Sequence, residues 1–515
     1  MTVLLDNILT VIVFLPLLAA PFILLIPERH AGAAKWIVLL FMSAVLALSL
    51  VLYFQYDPRS PIRAYGPESP EMQFVERHSW IPALNVEYLV GVDGISLPML
   101  MLTTLVSFSG VIASWKMKFS RSYFALYCLL YTGMAGVFVS LDLFLFYVFW
   151  EVMLLPMYFL IGIWGGERKE YAAIKFFLYT LLGSVFMLVA LIALYYGGDI
   201  NPDPAINTRG FDLVALGRSD ALSGLPGAGS GRALVWLALF LGFAVKVPVF
   251  PFHTWLPDAH VEAPTPVSVI LAGVLLKMGT YGLLRVNYFL LPEETVFFGP
   301  YLIVGLGVVN IVYGSLAALA QTDMKRIIAF SSIGHMGFVL LGMGAFNETG
   351  LSGAVLQMFN HGTITTLLFI LIGVLYDRAH HRRVDGFGGL AAVMPRYTTF
   401  TAFAFFAALG LPGLAGFISE ALCLMGGFDR YPVAAVIAVS GIVFSAGYLL
   451  WMMQRVFLGP VDPAWQGLEE IKFREIASLI PCAIPVVLLG LYPLPILQIV
   501  GPTLSRLQPV LQPFL

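Results

Sequence analysis

The stretch GFAVKVPVFPFHTWLPDAH, residues 242–260, sets a lysine in an apolar run and places three prolines directly after it. A charged side chain at the centre of a membrane helix costs about 2.5–3.5 kcal/mol on insertion scales. Pro248 lacks a backbone N–H, so the turn around Lys246 should open, and the freed carbonyls need partners from protein or water. A break beside an ionisable amine predicts a proton-handling centre. Without Lys246, the prolines would indicate an ordinary kink.

The composition predicts an integral membrane protein. Of 515 residues, 59% are hydrophobic and 11% are charged, whereas soluble globular proteins carry about 25% charged residues. The formal net charge of −2 gives no sign of a nucleic-acid partner. Because Cys128, Cys423 and Cys482 lie far apart in apolar runs, we expect no disulfide framework, iron–sulfur centre or zinc site in this chain.

Apolar runs long enough to cross a bilayer recur along the whole chain. A span needs roughly 20 such residues, and on this measure we predict an all-α polytopic membrane protein with about 14 transmembrane helices. The predicted spans are 5–26, 34–54, 88–114, 123–140, 142–164, 172–197, 233–256, 264–285, 299–320, 327–345, 352–376, 397–426, 432–457 and 475–499. Asp6, without any basic residue, precedes the first run, which is therefore kept as a membrane helix and not interpreted as a secretory signal.

Basic residues near the helix ends predict the orientation. One set of alternate loops holds most of them: Arg29, Lys35, Lys116, Lys118, Arg121, Arg168, Lys169, Lys325, Arg326, Arg378, Arg382, Arg383, Arg396, Arg455, Lys472 and Arg474. Outside the two long polar loops, 55–87 and 198–232, the opposite set holds mainly Arg285 and Arg430. Since cytoplasmic loops carry the positive excess, the first set is predicted to be cytoplasmic. With an even number of spans, both termini are then predicted on the outer side.

Two proline-containing runs indicate an internal repeat. LGFAVKVPVFPF contains Pro248, and AALGLPGLAGFISE, residues 407–420, contains Pro412, each in the middle of a predicted span. Because the second lies five helices after the first, we predict two inverted five-helix repeats, each containing a broken helix. Paired interrupted helices point to an ion pathway in transporters, although glycine and proline are also common in membrane helices in general.

Four charged residues lie well inside predicted spans: Glu151, Lys246, Lys277 and Glu420. Simple addition of their insertion costs gives about 10–14 kcal/mol, on the order of a domain's whole stability. One interpretation is that they form buried ion pairs holding helices together, although apolar packing is usually at least as stable. The other is a proton route, in which movement of Glu151 relative to Lys246 loads and unloads a proton.

Two histidines, His335 and His361, also lie in apolar helices. Each alone is compatible with a satisfied core histidine. Between Lys277 and Glu420, however, they could relay protons, because an imidazole titrates near neutral pH. Paired helical histidines also bind haem, but these two lie on different helices without a recognisable haem pattern.

The segment FHTWLPDAHVEAPTP, at the predicted cytoplasmic end, contains His253, Asp258 and His260. Together these side chains are a candidate cytoplasmic proton entrance. A network that caps the helix and holds the loop explains them equally well.

Several stretches resemble the antiporter-like subunits of respiratory complex I and of multisubunit cation/proton antiporters. KVPVFPFHTWLPDAHVEAPTPVSVILAGVLLKMGTYGLLR (246–285) is similar to the signature of this family. QTDMKRIIAFSSIGHMGFVLLG (321–342) and HGTITTLLFILIGVLYDR (361–378) resemble its later signatures, and FYVFWEVMLLPMYFLIGIWGG (146–166) resembles its fifth helix. The likeness runs from about residue 88 to 457.

Within this family the chain resembles the M-type subunits of NADH:quinone oxidoreductase. Glu420 stands where L-type and antiporter subunits usually have lysine, and the sequence ends at residue 515, leaving no room for the long lateral helix of the L type. The resemblance implies that Glu151 and Lys246 are the key pair. It also implies that Lys277 and the histidines form a central axis and that Glu420 is the outer terminal site.

The resemblance implies four segments: N-terminal helices (1–120), a first repeat (121–285), a second repeat (299–457) and a C-terminal helix (458–515). It implies a proton-translocating subunit of an enzyme whose redox chemistry lies elsewhere. FMN, iron–sulfur clusters and quinone are then expected in partner subunits. Neighbours of the L and N types, membrane lipids and a bacterial inner membrane are also expected.

Two alternatives remain open from the sequence. The chain could be a subunit of a multisubunit Na⁺(K⁺)/H⁺ antiporter, although a lysine at position 420 would fit that better than the glutamate found. It could also be a structural subunit whose charged axis only holds the helices together.

Overall fold

The computed structural model describes residues 6–27, 30, 32–58, 72–116, 120–201, 208–217, 222, 224–225 and 229–515. Its main helices are α1 (Ile8–Leu25), α2 (Gly32–Gln55), α3 (Ser96–Ala113), α4 (Arg121–Val139), α5 (Leu143–Trp164), α6 (Lys169–Gly197), α7 (Ser230–Lys246), α8 (Trp255–Glu262), α9 (Thr265–Leu290), α10 (Pro292–Leu319), α11 (Met324–Gly344), α12 (Glu348–Ala379), α13 (Pro395–Ala408), α14 (Ala415–Arg430), α15 (Pro432–Phe457), α16 (Phe473–Leu491) and α17 (Leu494–Leu511). The strands β1 (Gln73–Ile81) and β2 (Val86–Val92) form one antiparallel hairpin. Single helical turns at Leu213–Leu216 and Leu390–Val393 lie in loops.

Twelve of these helices are long and apolar enough to cross a membrane. They are α1 to α6, α9 to α12, α15 and α16. The two other predicted spans are the proline-containing ones, which the structure divides into α7 with α8 and α13 with α14. The all-α polytopic class is therefore confirmed, and both helix breaks fall where proline predicts them. The division into four segments stays a prediction.

Two predicted span boundaries are wrong. The third span is predicted from residue 88, but β2 occupies that position and α3 begins at Ser96, because the Asp93 carboxylate accepts the first N–H groups of the helix. The last span, predicted at 475–499, is two helices, since Pro493 forces an extended Tyr492 between α16 and α17. Arg29, Lys118 and parts of both long loops lie outside the described residues.

Contacts between loops support the predicted alternation of the two membrane faces. On one face, which we call the hairpin face, Val90 of β2 bridges to Ser140, and Asp142 bridges to Asp212. On the other, the basic face, the Gly166 amide donates to the Glu262 carbonyl, and strand-like residues at 323 and 383 pair. Each contact joins loops predicted on the same side of the membrane.

Burial separates central from peripheral helices. In α9 and α12 every residue of the most apolar stretch is buried, as expected for helices enclosed by other helices. Helix α6 instead exposes a stripe of apolar side chains, including Leu178, Leu182 and Val189. Such a stripe suits lipid or a neighbouring subunit. The central pair therefore encloses its own polar residues, Lys277 and His361 among them, away from lipid.

A buried ion pair lies near the hairpin face and corrects the placement of Arg285 in an outer loop. The Arg285 guanidinium donates to Asp93 Oδ1 at 2.5 Å, and the two side chains are only 5% and 1% exposed. Arg285 Nε also donates to the Tyr281 hydroxyl. Thr503 of α17 accepts a hydrogen bond from the Gly94 amide beside the pair. The last helix therefore closes the bundle over this charge pair.

Removing one partner of this pair should destabilise the fold strongly. In Arg285→Leu the Asp93 carboxylate stays buried without a counter-charge, which costs about 3–5 kcal/mol. We expect a clearly lower melting temperature. Circular dichroism of the purified chain in detergent measures it. The double variant Asp93→Asn/Arg285→Leu should recover part of the loss. Equal melting temperatures for the wild type and the single variant would contradict this assignment.

Candidate proton-transfer site

Side chains form hydrogen bonds with the backbone groups that the first helix break leaves without helical partners. Helix α7 ends at Lys246, and the Val249 amide donates to the Ala244 carbonyl at 2.8 Å, a wider turn than an α-helix has. The indole of Trp255 donates to the Val245 carbonyl at 2.9 Å. Burial without such partners would cost about 1–3 kcal/mol per group. The helix therefore opens at Lys246, as proline predicts, and the carbonyls of Ala244 and Val245 have hydrogen-bond partners.

Asn310 of α10 supports the same break from outside. Its side-chain amide donates to the Pro248 carbonyl at 3.2 Å, and its carbonyl oxygen accepts the Phe250 amide at 2.8 Å. Asn310 is completely buried. Sequence reasoning missed this residue. An asparagine in the apolar run 299–320 was the available signal, because a buried amide in a membrane helix needs partners.

Lys246 lies in an aromatic and thioether pocket. Its Nζ is 3.5 Å from Met153 Sδ and 5.5 Å from the ring centroids of both Trp150 and Phe176. Such rings attract a cation through their negative faces. The pocket can therefore hold the ammonium group without a direct carboxylate contact.

Glu151 lies close to Lys246 but does not contact it. Lys246 forms no direct ion pair in the described part of the chain, although the two charges are near enough to interact electrostatically. One oxygen of Glu151 is buried without a hydrogen-bond partner, and Ser184 lies beside the carboxyl. Glu151 and Lys246 are therefore neighbours in this structure, but they do not form a direct ion pair.

Lys277 lies at the centre of α9 beside a π-helical turn, Leu271–Leu275. Its Nζ donates to the Ala272 carbonyl, five residues earlier, at 2.5 Å and lies 2.6 Å from His361 Nδ1. Lys277 is completely buried. Single π turns are frequent at functional sites because they expose backbone groups inside a helix. Here the turn supplies the carbonyl that orients the lysine toward the histidine.

The polar chain continues from His361 to Glu420. The ring centroids of His361 and His335 are 5.5 Å apart, and His335 Nδ1 lies 2.8 Å from Glu420 Oε1. Gln357 donates to the same glutamate oxygen at 3.3 Å. Among the residues that the structure describes, neither histidine Nε2 atom, both of them buried, has a hydrogen-bond partner. A small cavity that both rings and Glu420 line has room for about one water molecule.

The second break brings Glu420 to this chain. Helix α13 ends at Ala408, and α14 begins at Ala415. Between them, Gly410 and Gly413 adopt φ of 76° and 93°, a conformation that glycine tolerates. Asn360 of α12 donates to the Ala415 carbonyl at 2.8 Å. Each break is thus supported by one buried asparagine from a neighbouring helix.

The structure does not bring together the three residues of the candidate entrance. His253 Nε2 lies 3.0 Å from the Tyr313 hydroxyl. Asp258 pairs with Lys175 at 2.7 Å and with Arg326 at 3.2 Å. His260 stacks on Phe369 with both ring nitrogens buried and unpartnered. Asp258 therefore belongs to an ion network on the basic face, whereas both histidines are buried.

A further buried lysine escaped the sequence reasoning. Lys325 of α11 is 2% exposed and donates to the Ala263 carbonyl at 2.8 Å. Its position at the start of a span made it look like a loop residue. It lies near enough to His260 to interact electrostatically. The packing of α11 against neighbouring helices, α8 among them, removes it from solvent.

Together, the fold and the site define a polytopic membrane subunit of the antiporter-like class. The transmembrane family described as NADH:quinone oxidoreductase/Mrp antiporter matches residues 140–445. NADH-quinone oxidoreductase subunit M of Rhodobacter capsulatus is 42% identical over 98% of this chain and 96% of the relative. NAD(P)H-quinone oxidoreductase chain 4 of Picosynechococcus is 43% identical over 94% of this chain and 89% of the relative. The chain therefore belongs to the NADH:quinone oxidoreductase/Mrp antiporter family.

Solved structures agree with this assignment. A chain of respiratory complex I from Thermus thermophilus with bound NADH superposes with a TM-score of 0.85 at 26% identity, covering 98% of this chain and 99% of that chain. A chain of the Mrp complex from Dietzia shares the fold, with a TM-score of 0.80 at 22% identity and 98% coverage of both chains. The resemblance to M-type subunits of an enzyme complex is confirmed.

Loss of Asn310 should loosen the first helix break specifically. In Asn310→Leu the Phe250 amide and the Pro248 carbonyl lose their partners, at about 1–3 kcal/mol each. We expect faster backbone hydrogen exchange at residues 247–254, measured by mass spectrometry on the intact complex. In the control Asn287→Leu, which removes a hydrogen bond to the Trp236 carbonyl, exchange at 247–254 should not change. Unaltered exchange in Asn310→Leu would show that other contacts hold the break.

Proposed function

We propose that this chain translocates protons in the membrane arm of NADH:quinone oxidoreductase, driven by electron transfer in distant partner subunits. One observation carries the proposal: a continuous line of ionisable side chains, Lys277, His361, His335 and Glu420, inside otherwise apolar helices. A line of this kind is expensive in a membrane, and intramembrane ionisable residues mark ion paths. The names of the curated relatives support the enzyme to which it belongs.

The geometry allows a proton to enter each imidazole at one nitrogen and leave from the other. Lys277 faces Nδ1 of His361 at 2.6 Å, and the Nε2 atoms of both histidines are without partners. A water molecule in the adjoining cavity would bridge the rings. Nδ1 of His335 then faces Glu420 at 2.8 Å. The proton thus travels from Lys277 to Glu420 in short steps, without a large movement of any side chain.

Lys246 and Glu151 act on this line by charge and not by a direct transfer. The described residues show no hydrogen bond between Lys246 and Lys277. Helix α9 nevertheless packs closely against the end of α7. A Cβ at Gly279 of α9 would lie only 2.9 Å from the amide of Val247, the residue after Lys246. Movement of Glu151 toward Lys246 would stabilise the protonated lysine. Movement away would favour loss of that proton, and the positive charge that repels a second positive charge in α9 would then disappear. Moving one charge against 100 mV requires about 2.3 kcal/mol.

The remaining expectations follow from the same assignment. Redox chemistry with FMN, iron–sulfur clusters and quinone belongs to partner subunits. Subunits of the L and N types are the expected membrane neighbours, with lipid on the remaining surface. The membrane is a bacterial inner membrane, with the basic face cytoplasmic and both termini on the periplasmic side. The order of basic residues along the sequence supports this orientation.

Removing the amine at the head of the line should stop pumping. We expect Lys277→Met to lower NADH-driven proton translocation by about 100-fold or more, because a positioned proton carrier contributes that much or more to a rate. The measurement is the quenching of a pH-sensitive dye in inverted membrane vesicles, with assembly checked by native electrophoresis. Lys35→Met is the matched control, since Lys35 also donates to a backbone carbonyl but lies outside the line.

The pair at the first break is tested in the same vesicles. Lys246→Ala and Glu151→Ala should assemble while electron transfer and pumping fall together, because charge coupling through the membrane arm is lost. An unchanged number of protons per electron would make the pair structural. Pumping that requires added Na⁺ or K⁺ would instead support the antiporter alternative.

A further inference from the structure

A second polar seam leads from the basic face toward Lys277, away from the helix break. It runs between α3, α12 and α16, which pack against one another beside α9. At the basic face, Asp377, Glu475 and Ser478 line a small cavity with Thr265 and Gly373. The cavity has room for about one water molecule.

Charged side chains surround the mouth of this cavity. Glu475 is 5% exposed and accepts hydrogen bonds from Arg378, at 2.7 Å to one oxygen. Lys116, just after α3, and Arg474 of α16 each lie 3.5 Å from its other oxygen. Asp377 stands beside it at the surface. The mouth therefore places a solvent-exposed carboxylate beside a buried one that pairs with basic groups.

Farther in, one polar side chain from each of the three helices meets the others. Ser109 Oγ of α3 lies 3.6 Å from Cys482 Sγ of α16, two turns beyond Glu475. Thr366 of α12 lies next to the same thiol. All three residues are completely buried, and the Thr366 hydroxyl faces the thiol of Cys482.

The inner end of the seam reaches the backbone that holds Lys277. A Cβ at Gly273 would lie 3.0 Å from Thr366 Oγ1, so the threonine hydroxyl faces the π-helical turn directly. The neighbouring residue, Ala272, carries the carbonyl that accepts from Lys277 Nζ. The absence of a side chain at Gly273 leaves the hydroxyl in reach of this turn. The π-helical turn is therefore in contact with the Thr366 hydroxyl on one side and with the Lys277 amine on the other.

We infer that this seam is a proton-uptake route to Lys277, separate from the segment that contains His253, Asp258 and His260. The inference rests on the proposed function, since it needs Lys277 to accept protons. A proton taken up at Asp377 passes through cavity water to Ser478, while Glu475 and its basic partners hold the mouth of the cavity in place. The hydroxyls of Ser109 and Thr366, with water entering beside Cys482, complete the hydrogen-bonded path. Thr366 is the narrowest point, because its hydroxyl alone faces both the cluster and α9.

The test removes one hydroxyl without changing shape. Thr366→Val is close to isosteric, so the complex should assemble normally. If uptake becomes limiting, translocation falls first where protons are scarce, and the alkaline limb of the pH–rate profile moves to lower pH by about one unit. Thr366→Ser keeps the hydroxyl and should restore the wild-type profile. Thr401→Val is the matched control, since Thr401 is a buried threonine that bonds within α13.

The outcomes separate this inference from the proposed function. A wild-type pH profile in Thr366→Val overturns the uptake route, even when Lys277→Met abolishes pumping. A uniform decrease at every pH, shared by Thr366→Ser, also overturns it, because the residue would then act only in packing. If Lys277→Met pumps normally, the proposed function fails, whatever Thr366→Val does.

Discussion

The constraint on which the structure depends is that no backbone polar group can be left without a partner inside a bilayer. A helix meets this condition by itself, and both breaks violate it locally. The fold restores the balance at the first break with Trp255 and Asn310, and at the second with Asn360 and two left-handed glycines. Both asparagines come from neighbouring helices, α10 and α12. The breaks therefore exist only because the surrounding bundle completes them.

The same condition explains how so many ionisable groups are accommodated. Those at the edges of the bundle are paired: Asp93 with Arg285, Asp258 with Lys175 and Glu475 with Arg378. Those in the centre form a line in which two histidines stand between the lysine and the glutamate, so that Lys277 meets His361 instead of a carboxylate. Pairs at the edge favour one stable arrangement. A line of weakly paired groups leaves protons free to be exchanged, which suits transport.

Much of this architecture can be predicted from the order of residues. Long apolar runs define the spans, alternating basic loops define the two faces, and proline within a span defines each break, because these effects act over one helix at a time. Glu151, Lys246, Lys277 and Glu420 stand out for the same reason: each is a charge within about 20 apolar residues. Asn310, Thr366 and Lys325 do not, since neutral polar residues and helix-end lysines occur in many places where they face solvent or their own helix.

What the sequence determined by itself is therefore the class of fold, the location of the breaks and the identity of the charges at the centre of the spans. Only the tertiary structure decided which of these charges meet. It leaves Glu151 near Lys246 without a direct ion pair, disperses His253, Asp258 and His260 among different partners, and joins His335 to Glu420 across a gap of 85 residues. The physical reason is that hydropathy and helix propensity are properties of single segments. A proton path, in contrast, depends on distances of a few ångströms between segments, which helix packing sets.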